Sequence, residues 1–192
     1  MKIFEKIQEQ LQKTLDEPRF EHTLGVMYTA GCMAMAHGYD VHKAMLAGLL
    51  HDCAKCMTHE ERLALCEAHH VEVTASELEN RALLHAKAGA ILAKIEYDIT
   101  DVDVLHAITV HTTGEPDMNI LDKIIYIADY IEPGRDKAPN LELVRSLAYR
   151  DLDACMAQIL YDTLNYLNSR GGHIDPTTAE AHEFYKEYRK ED

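Results

Sequence analysis

The sequence is poor in the residues that interrupt helices. Its 9 glycines and 5 prolines make up about 7% of the chain, whereas average usage is about 12%. Because these residues supply most turns, their scarcity favours a mostly helical protein. The hydrophobic share of 47% and the charged share of 27% are ordinary for a globular core.

Basic residues are also scarce. The 192 residues include 19 Lys and Arg against 33 Asp and Glu, which gives a formal net charge of −14. A protein that coats nucleic acid or lies on a membrane surface needs a basic face, so we expect neither partner. At first sight, the same charge also argues against a polyphosphate substrate.

The sequence shows neither a disulfide framework nor a membrane-spanning segment. Its 5 cysteines are an odd number without regular spacing, which is typical of a reducing compartment. The longest apolar run, residues 44–50, is far shorter than the roughly 18 residues that a membrane helix needs. The N-terminus enters an amphipathic pattern without the apolar core of a signal peptide. We therefore expect a soluble cytoplasmic protein.

Apolar residues recur with a helical period along the chain, and no segment shows the alternation of a strand. The pattern predicts helices at about residues 3–15, 19–35, 40–54, 76–95, 101–112, 119–131, 141–150 and 151–169, with a short helix after Thr58 and a last one after Pro176. Asp40 is a predicted N-cap, and Thr58 and Glu61 have capping-box spacing. No repeat or flexible linker divides the chain, so we predict one all-α domain over residues 1–192.

Histidine is abundant, with 12 residues, and position on the predicted helices separates them. Four lie on faces that should turn inward: His22, His51, His85 and His111. Any one of these alone is most simply a core histidine with one satisfied hydrogen bond. Four together weaken that interpretation, because burying several imidazoles requires several partners.

Two carboxylates accompany these histidines. Asp52 follows His51 near the end of the most apolar helix, and Asp129 flanks the buried stripe of a later helix. A buried carboxylate is costly unless it is paired or bound to a cation. The simpler alternatives are an ion pair of Asp129 with Arg135 or Lys123, and a cap or local pair of Asp52 with Lys55.

One divalent metal ion would satisfy two of the histidines and both carboxylates together: His22, His51, Asp52 and Asp129. Such a mixed nitrogen and oxygen set suits iron, manganese or a similar first-row ion better than structural zinc. Adjacent helical side chains diverge by about 100°. We therefore expect the ion to lie over the seam between His51 and Asp52.

The order of these residues resembles a known signature, that of the HD-domain metal-dependent phosphohydrolase superfamily. The His51-Asp52 pair alone is a weak signal. Longer segments are similar to the bacterial YqeK-type HD proteins, which are symmetrical diadenosine tetraphosphate hydrolases. The matching segments are residues 19–26, 47–55, 84–86, 107–108, 111–114 and 123–135. The His-Thr-Thr-Gly stretch from His111 and the Ala-Asp-Tyr-Ile-Glu-Pro stretch from Ala128 are specific to that family.

The resemblance implies an all-α HD fold, an iron-centred site and cleavage of a dinucleoside tetraphosphate into two nucleoside diphosphates. It assigns the metal to His22, His51, Asp52 and Asp129. It also implies a wider set of phosphate or nucleotide contacts, in which three metal ligands are included: His22, Asp52, Lys55, His85, His111, Thr112, Asp129, Tyr130 and Arg135. The match is loose over residues 168–177, so nucleotide contacts there stay open, as do the base preference and a homodimeric assembly.

Four side chains are candidates for catalysis. His85 and His111 could bond phosphate oxygens, hold a second metal ion, or protonate the departing diphosphate as a general acid. Arg135 could donate two hydrogen bonds to a phosphate. Without the family resemblance, a salt bridge within the loop would explain this arginine equally well. Lys55 is similarly ambiguous, because a cation at a helix C-terminus favours the helix dipole in any case.

Two other functions remain open. Another HD activity, on a nucleoside monophosphate, a deoxynucleoside triphosphate or a cyclic dinucleotide, would use the same centre. A nucleotide-binding sensor would use the pocket without turnover, although the intact ligand set argues against it.

Overall fold

The computed structural model describes residues 2–171 and 174–189, and within those ranges the chain forms helices and no strand, which confirms the all-α prediction. Residues 172–173, inside the loosely matching segment, and the ends of the predicted 1–192 domain lie outside the described residues. The helices are α1 (Lys2–Thr14), α2 (Glu17–Ala36), α3 (Val41–Leu50), α4 (His59–Ala68), α5 (Ala75–Glu79), α6 (His85–Glu96), α7 (Val102–Val110), α8 (Ile120–Ile131), α9 (Leu141–Leu147), α10 (Leu152–Arg170) and α11 (Pro176–Tyr185), followed by a single 3₁₀ turn, Lys186–Tyr188.

Side-chain caps begin several of these helices where the sequence predicts them. The Asp40 side chain accepts hydrogen bonds from two N–H groups at the start of α3. Thr58 and Glu61 form the complete capping box at the start of α4. Each cap satisfies N–H groups that have no partner inside the helix.

Helix α2 begins earlier than expected. Asp16 accepts a hydrogen bond from the Arg19 N–H at 2.8 Å and starts the helix at Glu17. Pro18 lies in the first turn, where the missing N–H costs nothing because no acceptor exists there. Arg19 is therefore already inside the helix, one turn before His22.

The prediction that α3 continues to about residue 54 is wrong. The helix ends at Leu50, and the next residues form tight turns in which the Cys53 N–H bonds to the Leu50 carbonyl and the Lys55 N–H to the Asp52 carbonyl. The His51 ring bonds back to the helix, which favours this termination. His51 and Asp52 consequently project from the end of α3.

The predicted helix over residues 76–95 is also wrong as a single element. Helix α5 ends at Glu79, a turn follows, and α6 begins at His85. The Asn80 side chain accepts from the Ala82 N–H at 3.2 Å, and the Arg81 carbonyl accepts from Arg62 at 3.3 Å. These bonds stabilise the turn and place His85 at the first position of a buried helix.

The core forms where α2, α3, α7 and α8 pack together. Gly48 lets the backbones of α3 and α2 approach closely, because a Cβ at that position would lie 3.0 Å from the Met27 Cα of α2. Helix α8 buries Leu121, Ile124 and Ile125. No described helix is long and apolar enough to cross a bilayer. Each of these four helices, or the residue that follows it, contributes one side chain to a polar cluster: His22, His51, His111 and Asp129.

Candidate active site

Three of the four inward-facing histidines are oriented by the same local hydrogen bond. Each ring has its Nδ1 atom at the carbonyl of the residue three positions earlier: His51 at Gly48 (2.7 Å), His111 at Ile108 (2.7 Å), and His85 at Ala82. A carbonyl only accepts, so each Nδ1 carries the hydrogen. Every Nε2 of the neutral rings is therefore left with a lone pair, which is the form that binds a metal ion.

The fourth histidine, His22, is oriented by a carboxylate instead. Its Nδ1 atom lies 3.1 Å from Glu132 Oε1, and Glu132 is only 4% exposed. The other Glu132 oxygen accepts from the Gly134 N–H at 2.6 Å. Gly25 gives the carboxylate room, because a Cβ there would lie 2.6 Å from Oε2. The arrangement is a carboxylate–histidine pair of the kind that supports metal ligands.

The Nε2 atoms of His22 and His51 converge on Asp129 and Asp52. His22 Nε2 lies 3.0 Å and His51 Nε2 3.9 Å from Asp129 Oδ1. The same nitrogens lie 3.8 and 3.5 Å from Asp52 Oδ2. Both nitrogens are buried without a hydrogen bond. A divalent ion bound by these four side chains would satisfy the unpartnered nitrogens, so the residues present fit a metal.

The second oxygen of Asp52 faces the other two histidines. Asp52 Oδ1 lies 3.0 Å from His85 Nε2 and 3.7 Å from His111 Nε2, and the Asp52 residue is 1% exposed. The Thr112 hydroxyl lies 3.1 Å from His111 Nε2. Asp52 therefore lies between two groups of ligand atoms, one with His22 and one with His85.

The protonation states suit cation binding. Burial lowers the pKa of His51 to about 4, which keeps its imidazole neutral. Burial also lowers the pKa of His85, against the hydrogen bond to Asp52. Burial alone would raise the pKa of both carboxyls, but His51, with His111 and His85, holds the Asp52 pKa well below its usual range. The neighbouring His22 ring, with the charges of His51 and Arg135, likewise holds the pKa of Asp129 below its usual range. Neutral imidazoles beside ionised carboxylates are what metal ligation requires.

Three cations border the ligand atoms. Arg19 Nη1 lies 2.6 Å from Asp52 Oδ2, and Arg135 Nη2 lies 2.6 Å from Asp129 Oδ1. Lys55 Nζ lies 3.1 Å from His85 Nε2 and 3.5 Å from Asp52 Oδ1. The ion pairs considered as alternatives to metal binding, Asp129 with Arg135 and Asp52 with Lys55, are therefore present. They leave the buried Nε2 atoms of His22 and His51 without a partner.

The other alternative for Asp129, an ion pair with Lys123, is absent, since Lys123 pairs with Asp153 at 2.8 Å.

Tyr130 borders a cavity of about 490 Å³ together with Lys55, Thr112 and Arg135. Partial burial raises the pKa of Tyr130 to about 12, so it is a neutral hydrogen-bonding group. Six of the nine candidate nucleotide contacts therefore line this cavity: Lys55, His111, Thr112, Asp129, Tyr130 and Arg135. His22, Asp52 and His85 do not line it.

Sequence reasoning assigned no role to several residues that organise this site. Arg19 and Glu132 stand inside the matching segments, and the one-turn spacing of Arg19 and His22 was the available signal. Arg145 of α9 donates to the Ile131 and Arg135 carbonyls at 3.0 and 2.8 Å and so holds the turn after α8. No local pattern marks that contact.

Arg62 is a second structural arginine that the sequence did not reveal. It is 8% exposed and donates to the carbonyls of Ala54, Lys55 and Arg81. Two of these carbonyls belong to the turn that follows Asp52, and the third belongs to the turn before His85. Arg62 therefore fixes the two turns relative to each other.

Comparisons with known proteins agree with this geometry. A family model for the HD domain matches residues 19–134. The symmetrical bis(5'-nucleosyl)-tetraphosphatase of Halalkalibacterium halodurans is 40% identical over 166 residues, which cover 85% of this chain and 87% of that protein. The protein of the same name from Bacillus subtilis is 38% identical over 168 residues, covering 88% and 89%.

A solved structure is similar over nearly the whole chain. It comes from Clostridium acetobutylicum and is described as a "predicted HD superfamily hydrolase involved in NAD metabolism". The two chains superimpose with a TM-score of 0.92 at 40% identity, which covers 97% of this chain and 98% of that one. The chain therefore belongs to the HD-domain hydrolases and, within them, to the family of symmetrical bis(5'-nucleosyl)-tetraphosphatases.

Proposed function

We propose that this protein hydrolyses diadenosine tetraphosphate and related dinucleoside polyphosphates symmetrically, releasing two nucleoside diphosphates. The relatives named for this activity match the chain over most of its length. The observation that carries the proposal is the convergence of two unpartnered imidazole nitrogens on two ionised carboxylates, beside a cavity lined by cationic side chains. The net charge of −14 does not exclude a polyphosphate here, because Lys55, Arg135 and Lys137 line the cavity and the carboxylates Asp52 and Asp129 would be neutralised by a bound divalent ion.

The ligands for a divalent metal are His22, His51, Asp52 and Asp129. Their mixed nitrogen and oxygen donors suit a divalent first-row ion. The family resemblance implies iron, with manganese or another first-row ion as the alternative. When bound, such an ion lowers the pKa of a water ligand and polarises a phosphoryl oxygen. The Glu132 carboxylate keeps His22 in the ligating tautomer, and the Gly48 carbonyl does so for His51.

The surrounding cations bind and orient the phosphates. Arg135 can give a phosphate the planar pair of hydrogen bonds that it now directs at Asp129. Lys55 reaches the same cavity, and its ammonium adds charge without a fixed geometry. Thr112 and Tyr130 supply hydroxyl groups along the cavity. Charge neutralisation by preorganised groups is expected to supply much of the rate enhancement.

His85 and His111 lie beyond the first group of ligands. Their two Nε2 atoms, with Asp52 Oδ1, either hold a second cation or share a proton that passes to the departing diphosphate. Both roles need positive charge between the rings. The number of metal ions bound per chain separates the two roles.

Product analysis tests the activity. The purified protein, loaded with iron or manganese, is incubated with diadenosine tetraphosphate, and nucleotides are separated by chromatography. We expect ADP as the single product, whereas AMP with ATP would contradict symmetrical cleavage. A panel with a nucleoside monophosphate, a deoxynucleoside triphosphate and a cyclic dinucleotide tests the other HD activities. Tight nucleotide binding without any product would favour the sensor.

Substitution of the ligands tests the metal assignment. His51→Ala and Asp129→Ala should each abolish hydrolysis and metal retention while leaving a helical circular dichroism spectrum. Near-normal turnover in either variant would show the assignment to be wrong.

A cytoplasmic location and a homodimeric assembly complete the proposal. Sedimentation of the purified protein tests the assembly.

A further inference from the structure

The ligand atoms separate two cavities. The cavity of about 490 Å³ contains Asp129, Lys55 and Tyr130. A second cavity of about 890 Å³ is lined by Asp16, Pro18, Arg19, Glu21, His22, Gly25, Glu132, Pro133, Gly134 and Arg135. His22 borders the second cavity and Asp129 the first, and their side chains meet at 3.0 Å. We shall call these the Lys55 cavity and the Arg19 cavity.

We propose that the Arg19 cavity binds the second nucleoside diphosphate half of the substrate, opposite the half in the Lys55 cavity. This inference rests on the proposed function, because only a substrate with two nucleosides needs two such sites. Both volumes fall in the range of cavities that hold small organic ligands. A phosphate chain cleaved at its centre, over the ligand atoms, places one nucleoside on each side.

Cationic side chains line both cavities. A phosphate chain that passes through both would need this arrangement. Lys55 lines only the first cavity, Arg19 only the second, and Arg135 lines both. Arg19 is 28% exposed at its side chain, and its Nη1 atom reaches Asp52 at 2.6 Å. It therefore offers its remaining donors to a phosphate that leaves the centre on the far side. Arg135 can contact the chain at the point where it passes between the cavities.

The acidic residues of the Arg19 cavity do not oppose this occupant. The Glu132 oxygens are committed to His22 and to the Gly134 N–H. Asp16, the N-cap of α2, and Glu21, in α2, are exposed, and exposed carboxylates can accept hydrogen bonds from ribose hydroxyls. The exposed rings of Pro18 and Pro133 offer an apolar surface to a base.

ADP binding tests the inference without turnover. Equilibrium dialysis of the manganese-loaded protein with ADP should give two ADP per chain. In Glu21→Trp, which adds bulk to the lining of the Arg19 cavity at a position that is not a proposed metal ligand, we expect one. The matched control is Glu17→Trp, an exposed position on the same helix that lines neither cavity, and it should keep two. One ADP in the unsubstituted protein, or two in Glu21→Trp, would overturn the proposal.

Hydrolysis provides the second measurement. Glu21→Trp should lower kcat/KM for diadenosine tetraphosphate by at least about tenfold, while Glu17→Trp leaves it unchanged. An unchanged value in Glu21→Trp would also overturn the proposal. If the unsubstituted protein hydrolyses no dinucleoside polyphosphate, the proposed function fails on its own account. The ADP stoichiometry then still decides whether the second cavity is a nucleotide site.

Discussion

The Nε2 atoms of His85 and His111 lie 3.0 Å apart, although both rings direct Nδ1 at main-chain carbonyls. In their neutral forms, two lone pairs would therefore face each other. Asp52 Oδ1 adds a third acceptor 3.0 Å from His85 Nε2. Lys55 donates to one of these atoms from the rim, but the close pair of nitrogens itself requires a shared proton or a cation.

The number of metal ions bound per chain distinguishes a cation between the rings from a shared proton. If a cation lies between the rings, the manganese-saturated protein will bind two ions per chain, and His85→Ala will bind one, since the site with His22 stays complete. Elemental analysis after gel filtration measures this. His69→Ala, an exposed histidine outside the site, should behave as the unsubstituted protein. One ion in the unsubstituted protein would instead indicate a shared proton and a general acid.

The carboxylate behind His22 gives a second prediction. Glu132→Gln should weaken metal affinity by about 10- to 100-fold, because an outer hydrogen bond of this kind fixes the tautomer and raises the basicity of the ligand. A competition titration with a metal-binding dye measures the dissociation constant. Glu142→Gln, on exposed α9 surface, is the control. Unchanged affinity in Glu132→Gln would mean that the charge of Glu132 is not needed to orient the His22 ring.

Arg62 gives a prediction about stability. Arg62→Ala removes hydrogen bonds to three carbonyls from a residue that is 8% exposed. Hydrogen bonds to a charged donor contribute about 1.5–3 kcal/mol each but are not additive, so we expect a loss of about 3 kcal/mol in the free energy of unfolding. Urea denaturation measures it. Arg81→Ala, whose side chain is exposed, should cost less than about 0.5 kcal/mol.

Local rules account for much of the fold because the caps and apolar stripes are local. Asp40, Thr58 and the stripe of α8 correctly place three helices. The turn before His85 is harder to predict from spacing. Asn80 caps it locally, but the turn also depends on Arg62, which lies in another helix.

The candidate site shows the same division. Helix faces were enough to select the four histidines that the fold brings together, because inward-facing imidazoles are few. Residue spacing did not predict the exact end of α3 or the residues that contact the proposed metal ligands. Glu132 and Arg19 contact residues more than thirty positions away, His22 and Asp52 respectively, and such contacts have no period.

A final prediction concerns His106, outside the active site. Its Nδ1 lies 3.1 Å from Asp122 Oδ1 and its Nε2 3.1 Å from Glu115 Oε1, which links α7 and α8 to the segment between them. Burial alone would lower the pKa of His106, but the hydrogen bond and charge of Asp122, with Glu115, raise it above 6.5.

Since the pKa of His106 is higher in the folded than in the unfolded chain, the charged ring stabilises the fold fully below pH 6.5. That contribution disappears as the pH rises through the folded pKa. The unfolding free energy of His106→Gln should therefore fall below that of the unsubstituted protein in mildly acidic buffer, and the gap should narrow with increasing pH. Urea titrations from just below 6.5 to roughly two pH units above it measure the gap. More acidic buffers are avoided because burial raises the pKa of Asp122, so its carboxyl would begin to titrate as well. A gap that stays constant or widens over this range would show that His106 does not act through its charge.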